Sequence, residues 1–119
     1  MQRKKRDDVS YLADMLQFAR EVLTFTAGRS RSDYDADLVL RRAVERATEL
    51  IGEAASNVSE STINGHPEIP WRKIIAQRHV LIHGYGDVDD DLVWNLTRDE
   101  MPKLVAILES ILREVERGE

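Results

Sequence analysis

The chain has no cysteine, which excludes disulfide frameworks, thiolate zinc, iron–sulfur ligation and thiol catalysis, and predicts a reducing compartment. It has no basic excess: 17 Lys and Arg stand against 22 Asp and Glu, a net charge of −5. The overall field therefore does not attract nucleic acid, and any RNA or DNA site must be a local patch. No apolar run approaches the roughly 20 residues needed to cross a bilayer, and the opening MQRKKRDD turns charged where a signal peptide would place an apolar stretch. A cytoplasmic protein without membrane contact is expected. Only 3 prolines, 6 glycines and 6% aromatics accompany 33% charged residues, a balance that points to helices with charged outer faces. At 119 residues the chain is one domain, 1–119, too short for a cleft between two domains. Residues 1–6 read as a basic tail.

Hydrophobic periodicity supplies the architecture. Leu12, Met15, Leu16, Ala19, Val22, Leu23 and Thr26 recur at three- and four-residue spacing, predicting a helix from Asp8 to Ala27 that Gly28 ends in a left-handed cap. Arg29 to Asp35 reads as a polar connection. A second helix carries Leu40, Ala43, Val44, Ala47, Leu50, Ile51, Ala54, Ala55 and Val58, a stripe whose small residues let another helix approach closely. Arg41, Arg42, Glu45, Arg46 and Glu49 line its other faces and suggest a ladder of i,i+4 ion pairs. Asn64-Gly65 and Pro67 interrupt the pattern, and Pro70 sits where proline favours the first turn of a helix starting near Trp71. The acidic turn Asp87 to Asp91 suits the N-terminus of a short helix holding Leu92, Val93, Trp94 and Leu96. It lacks the calcium-loop spacing. A last helix holds Met101, Leu104, Val105, Leu108, Ile111, Leu112 and Val115, with Asp99 as the expected cap. The expected fold class is all-α, an antiparallel four-to-five-helix bundle. Trp71 and Trp94 stand too isolated for base stacking and read as packing residues.

The third helix carries the chemistry. On its run WRKIIAQRHVLIHGYGD, the residues Trp71, Ile74, Ile75, Leu81, Ile82 and Tyr85 form one apolar stripe, and Arg78 falls in its middle. An unpaired guanidinium is very costly to bury, so Arg78 requires a partner, an interface or a substrate. His79 and His83, four residues apart, share the flank beside it. Zinc is disfavoured as their ligand: there is no cysteine, the only other histidine is His66, and no HExxH glutamate lies between them. No metal and no cofactor are expected. Two readings stay open on these residues alone. In one, Arg78 pairs with a carboxylate such as Glu53 and the histidines cap or pad a helix end. In the other, His83 takes a 2′-hydroxyl proton while Arg78 meets the phosphate, the two groups that metal-free phosphodiester cleavage requires.

The run from Arg78 to Tyr85 resembles the motif of Arg, four to six residues, His, any residue, Tyr that marks HepT-like toxins of the HEPN superfamily. IGEAA at Ile51 to Ala55, PEIPW at Pro67 to Trp71, IHGYG at Ile82 to Gly86 and VWNL at Val93 to Leu96 fall in that family's order, so the resemblance covers nearly the whole domain. One departure is His79, where many relatives carry Asn or Asp. The resemblance implies a homodimer whose two motif helices face each other across a composite RNA-cleaving groove. It assigns catalysis to Arg78 and His83, with His79 beside them, and implies a partner nucleotidyltransferase that silences the toxin by transferring AMP to Tyr85. Glu53 is a supporting candidate, and Arg42, Arg46, Arg72 and Lys73 are candidates for binding RNA. The competing expectations are an inactive helical module that docks a nucleotidyltransferase, and a plain structural dimer.

Overall fold

A computed structural model describes residues 6–83 and 89–118, without the side chains of 79–83. Within that range the chain forms seven α-helices: α1 Asp8–Thr26, α2 Arg31–Ala36, α3 Leu38–Ser56, α4 Glu60–Gly65, α5 Trp71–His83, α6 Asp90–Asn95 and α7 Met101–Glu116. There is no strand among the described residues. The four long helices, α1, α3, α5 and α7, are those that periodicity predicts. They pack in the order α5–α3–α1–α7, with α3 between α5 and α1.

Capping chemistry sets the boundaries. Asp7 accepts from the Ser10 amide at 2.9 Å to start α1, and Gly28 (φ +72°) follows its end. The stretch read as a connection holds α2, because Ser30 and Asp33 form a reciprocal capping box. That hydrogen bonding to Ser30 holds the Asp33 carboxyl below its usual range. Six residues are too few to show a 3.6-residue period, so only the cap could have revealed this helix. A second short helix, α4, precedes the interruption at Gly65. Its cap Ser59 is gripped by Asp8 of α1: one carboxylate oxygen accepts from the Ser59 amide at 3.0 Å, the other from the hydroxyls of Ser59 (2.5 Å) and Thr62 (2.6 Å).

The core is formed by Leu12, Met15, Ala19 and Val22 of α1 against Val44, Ala47, Ile51 and Ala55 of α3, closed by Leu104, Leu108 and Ile111 of α7. Thr26, Thr48 and Thr97 are buried, and each hydroxyl donates to the carbonyl four residues earlier, so none of the three is stranded. Asp89 caps α6 by accepting from the amides of Asp91 and Leu92, and the Arg31–Asp91 pair at 2.5 Å fastens α6 to α2. Tyr34 of α2 and Trp94 of α6, both buried, meet as a tilted ring pair with centroids 5.2 Å apart.

Two expectations are corrected here. Asp99 does not cap α7, because α6 runs into α7 through a π-helical turn, Leu96–Glu100, that contains Asp99. A continuous helix leaves no free amides for a cap, and Pro102 is accommodated at the start of α7. The ion-pair ladder on α3 has i,i+3 rather than i,i+4 spacing: Arg42 pairs with Glu45 at 3.0 Å and Arg46 with Glu49 at 2.8 Å. At the N-terminus, Arg6, assigned by sequence to the tail, pairs with Asp14 at 2.7 Å and lies 4.8 Å over the Tyr11 ring. No helix among the described residues is long and apolar enough to cross a membrane.

Candidate nucleic-acid interface

Helix α5 is anchored at its start. Ile69 and Trp71 are buried, the Trp71 indole N–H donates to the His66 carbonyl at 2.9 Å, and the Ile74 amide donates to the Pro70 carbonyl at 3.1 Å. Ile74 and Ile75 pack on the core. One turn on, Arg78 falls on the same packed side, where the apolar stripe of the sequence places it. It is half-buried, and its Nε is fully enclosed with no hydrogen-bond partner among the described residues.

What Arg78 packs against is a glycine. A Cβ built on Gly52 of α3 would collide with the Arg78 Cβ and would lie 2.9 Å from the Ile74 carbonyl oxygen and 3.4 Å from the Arg78 Cα. The backbones of α3 and α5 thus touch at one point, directly beneath the candidate arginine. Sequence reasoning singled out Glu53 in the IGEAA run, but Glu53 is exposed and forms no ion pair with Arg78 among the described residues. One residue along a helix is a rotation of about 100°, which turns the carboxylate away and leaves Gly52 facing α5. The signal was available, because a glycine in a helix interior costs up to about 1 kcal/mol relative to alanine and calls for a packing reason.

His79 and His83 occupy the last turns of α5, four residues apart on helical backbone and so on a common face. Their side chains, and the whole of Tyr85, lie outside the described residues. Among the described residues no cluster of His, Asp or Glu is arranged to hold a metal. Of the basic candidates, Arg42 and Arg46 are engaged by their glutamates, and Lys73 reaches Glu100 of the π turn at 3.5 Å. Arg72 is exposed and no ion pair engages it among the described residues. An apolar cleft of about 220 Å³ lies between α3, α5 and α7, lined by Thr48, Ile51, Ile74, Gln77, Leu104 and Ile107. Among the described residues its lining includes neither Arg78 nor a histidine.

The pattern described as ribonuclease HepT-like matches residues 15–111. A Thermococcus cleftensis protein named as a probable ribonuclease HepT is 35% identical, over 90% of this chain and 97% of its own length. A Methanocaldococcus jannaschii protein named as a candidate RNase is 33% identical, over 84% of this chain and 92% of its own. Another, from Caldanaerobacter subterraneus, is 34% identical over 87% and 93% respectively. No solved structure matches the chain. The match reaches all four long helices and includes the Arg78 seat, and on that ground the chain belongs to the HepT-like ribonuclease family.

Proposed function

We propose that the protein is the toxin of a toxin–antitoxin pair and cleaves RNA without a metal ion, as a homodimer whose α5 helices face one another across the substrate groove. The observation that carries this reading is Arg78: a cation on the packed face of α5, its Nε enclosed and without a partner among the described residues, on the helix that also bears His79 and His83. A fixed guanidinium supplies charge stabilisation to a phosphate without reorganising during the reaction. An imidazole with an unperturbed pKa of about 6.5 supplies a base near neutral pH.

In the proposed mechanism His83 removes the 2′-hydroxyl proton and the 2′-oxygen attacks the adjacent phosphorus. Arg78 stabilises the charge on the phosphorane oxygens. The bond to the 5′-oxygen breaks, and that oxygen takes a proton from His79 or from water, leaving a 2′,3′-cyclic phosphate and a 5′-hydroxyl. Pairing two subunits puts Arg78 at a shared polar cleft and not in a dry core. A nucleotidyltransferase antitoxin would silence the enzyme by placing AMP on Tyr85, whose added phosphate competes for the subsite that Arg78 and His83 hold. The protein is assigned to the cytoplasm, where both RNA and such a partner are found.

The test is incubation of unmodified protein with total RNA in EDTA, beside His83→Ala and Arg78→Ala proteins of equal helicity. Cleavage to cyclic-phosphate ends, lost in both variants, is the expected result. Products with 5′-phosphates that require magnesium would refute the mechanism. Intact RNA with all three proteins, with Tyr85 shown by mass to be unmodified, would favour the inactive docking module.

A further inference from the structure

We infer that Gly52 is a positioning residue for the reaction: by letting α3 and α5 touch, it fixes the depth and direction at which Arg78 leaves its helix. The inference rests on the ribonuclease reading of Arg78. Three observations support it. The collision of a Gly52 Cβ would be with the Arg78 Cβ and with the Ile74 carbonyl oxygen, atoms fixed to the α5 backbone that cannot swing aside as a flexible side-chain end can. The start of α5 is pinned by Trp71 and by the buried Ile69, so a push at Gly52 cannot be relieved by sliding the whole helix. It must tilt the segment beyond Ile74, which carries Arg78. The Arg78 Nε is enclosed and meets no hydrogen-bond partner among the described residues, so packing is what orients it there. Catalytic groups lose much of their effect when displaced by about 1 Å, which is the scale of the shift that a new Cβ demands.

The experiment compares Gly52→Ala with Ala54→Gly, a substitution on the same helix that lowers stability without adding an atom toward α5. Both are studied at a temperature where circular dichroism shows them folded. Two quantities are read: kcat and KM on a fluorogenic RNA, and the ¹H–¹⁵N resonance and solvent exchange of the Arg78 side-chain Nε–H. In the unsubstituted protein that Nε–H should exchange at least tenfold more slowly than that of exposed Arg72. In Gly52→Ala its resonance should move, its protection should fall, and kcat should drop tenfold or more with KM changed less than threefold. Ala54→Gly should leave the resonance in place and kcat within twofold. An unmoved resonance in Gly52→Ala, or equal loss of kcat in both variants, overturns the inference. Should Gly52→Ala not fold, rapid exchange of the Arg78 Nε–H in the unsubstituted protein overturns it as well, and slow exchange supports the seat. If the unsubstituted protein cleaves no RNA while Gly52→Ala still moves the resonance, the ribonuclease reading fails, and with it any role of Gly52 in catalysis.

Discussion

Asp8 joins two helices that are far apart in sequence, and its removal has a calculable cost. Its carboxylate receives three hydrogen bonds, one from the Ser59 amide and one each from the hydroxyls of Ser59 and Thr62. A hydrogen bond to a charged group contributes about 1.5–3 kcal/mol. Because the three converge on one half-buried carboxylate and water can replace part of them, we take about 2–3 kcal/mol for Asp8→Ala, not the full sum. A further few tenths, about 0.3 kcal/mol, come from losing an acidic residue in the first turn of α1. For a domain of this size each kcal/mol moves Tm by about 4 °C, so thermal unfolding followed by circular dichroism should shift down by about 9–13 °C. Asp8→Asn keeps one acceptor oxygen and should fall between. A double-mutant cycle supplies the sharper check. Thr62→Ala should cost about 1 kcal/mol in the parent and close to nothing in Asp8→Ala, since its hydroxyl partner is then gone. A Tm change under about 2 °C for Asp8→Ala, or additive losses in the cycle, would refute the reasoning.

Two other substitutions should behave unlike their neighbours. Burial pushes the Tyr34 phenol above its ordinary range, with Asp90 and Glu45 adding to the effect. Its hydroxyl has no hydrogen-bond partner among the described residues. Tyr34→Phe should therefore leave stability unchanged or raise it by up to about 1 kcal/mol, and a Tm loss above about 3 °C would show that the hydroxyl is bonded after all. Among the basic candidates, Arg72 meets no counter-charge among the described residues, whereas Arg42 must be freed from Glu45. Arg72→Ala should lower the slope of log K against log salt for a single-stranded RNA by about 0.7, and Arg42→Ala by less. Equal slopes would remove the distinction.

How far the sequence could be read depended on how each feature is encoded. The long helices α1, α3, α5 and α7 announce themselves by periodicity, because a buried stripe repeats many times along each. The starts of α5 and α6 were legible from Pro70 and from the acidic turn. Helices α2 and α4 were not, since each is six residues long and is held by a cap and by tertiary contacts such as Asp8 with Ser59. The π turn has no composition of its own, so Asp99 looked like a cap where the backbone simply continues. At the candidate site, Arg78 was legible as a charge inside an apolar stripe. Its contact with Gly52 in the same chain was not, because charge complementarity, which drew attention to Glu53, is visible in a sequence and a contact between two backbones is not. Gly52 contributes by the atom it lacks.

The order in which the helices pack also bears on when the site can form. Helix α5 is seated against α3, its near neighbour in the chain, whereas the core is closed only when α7 reaches back to α1. During synthesis from the N-terminus, both sides of the Gly52–Arg78 contact are available as soon as α5 emerges, before α7 has been made. Contacts between nearby segments form faster than those that close the ends of a chain. Opening of α7 in the finished protein should likewise leave the Gly52–Arg78 contact in place, since neither residue lies on α7. The arginine seat therefore belongs to the early-forming, locally connected part of the molecule, and the closure of the core to the late one.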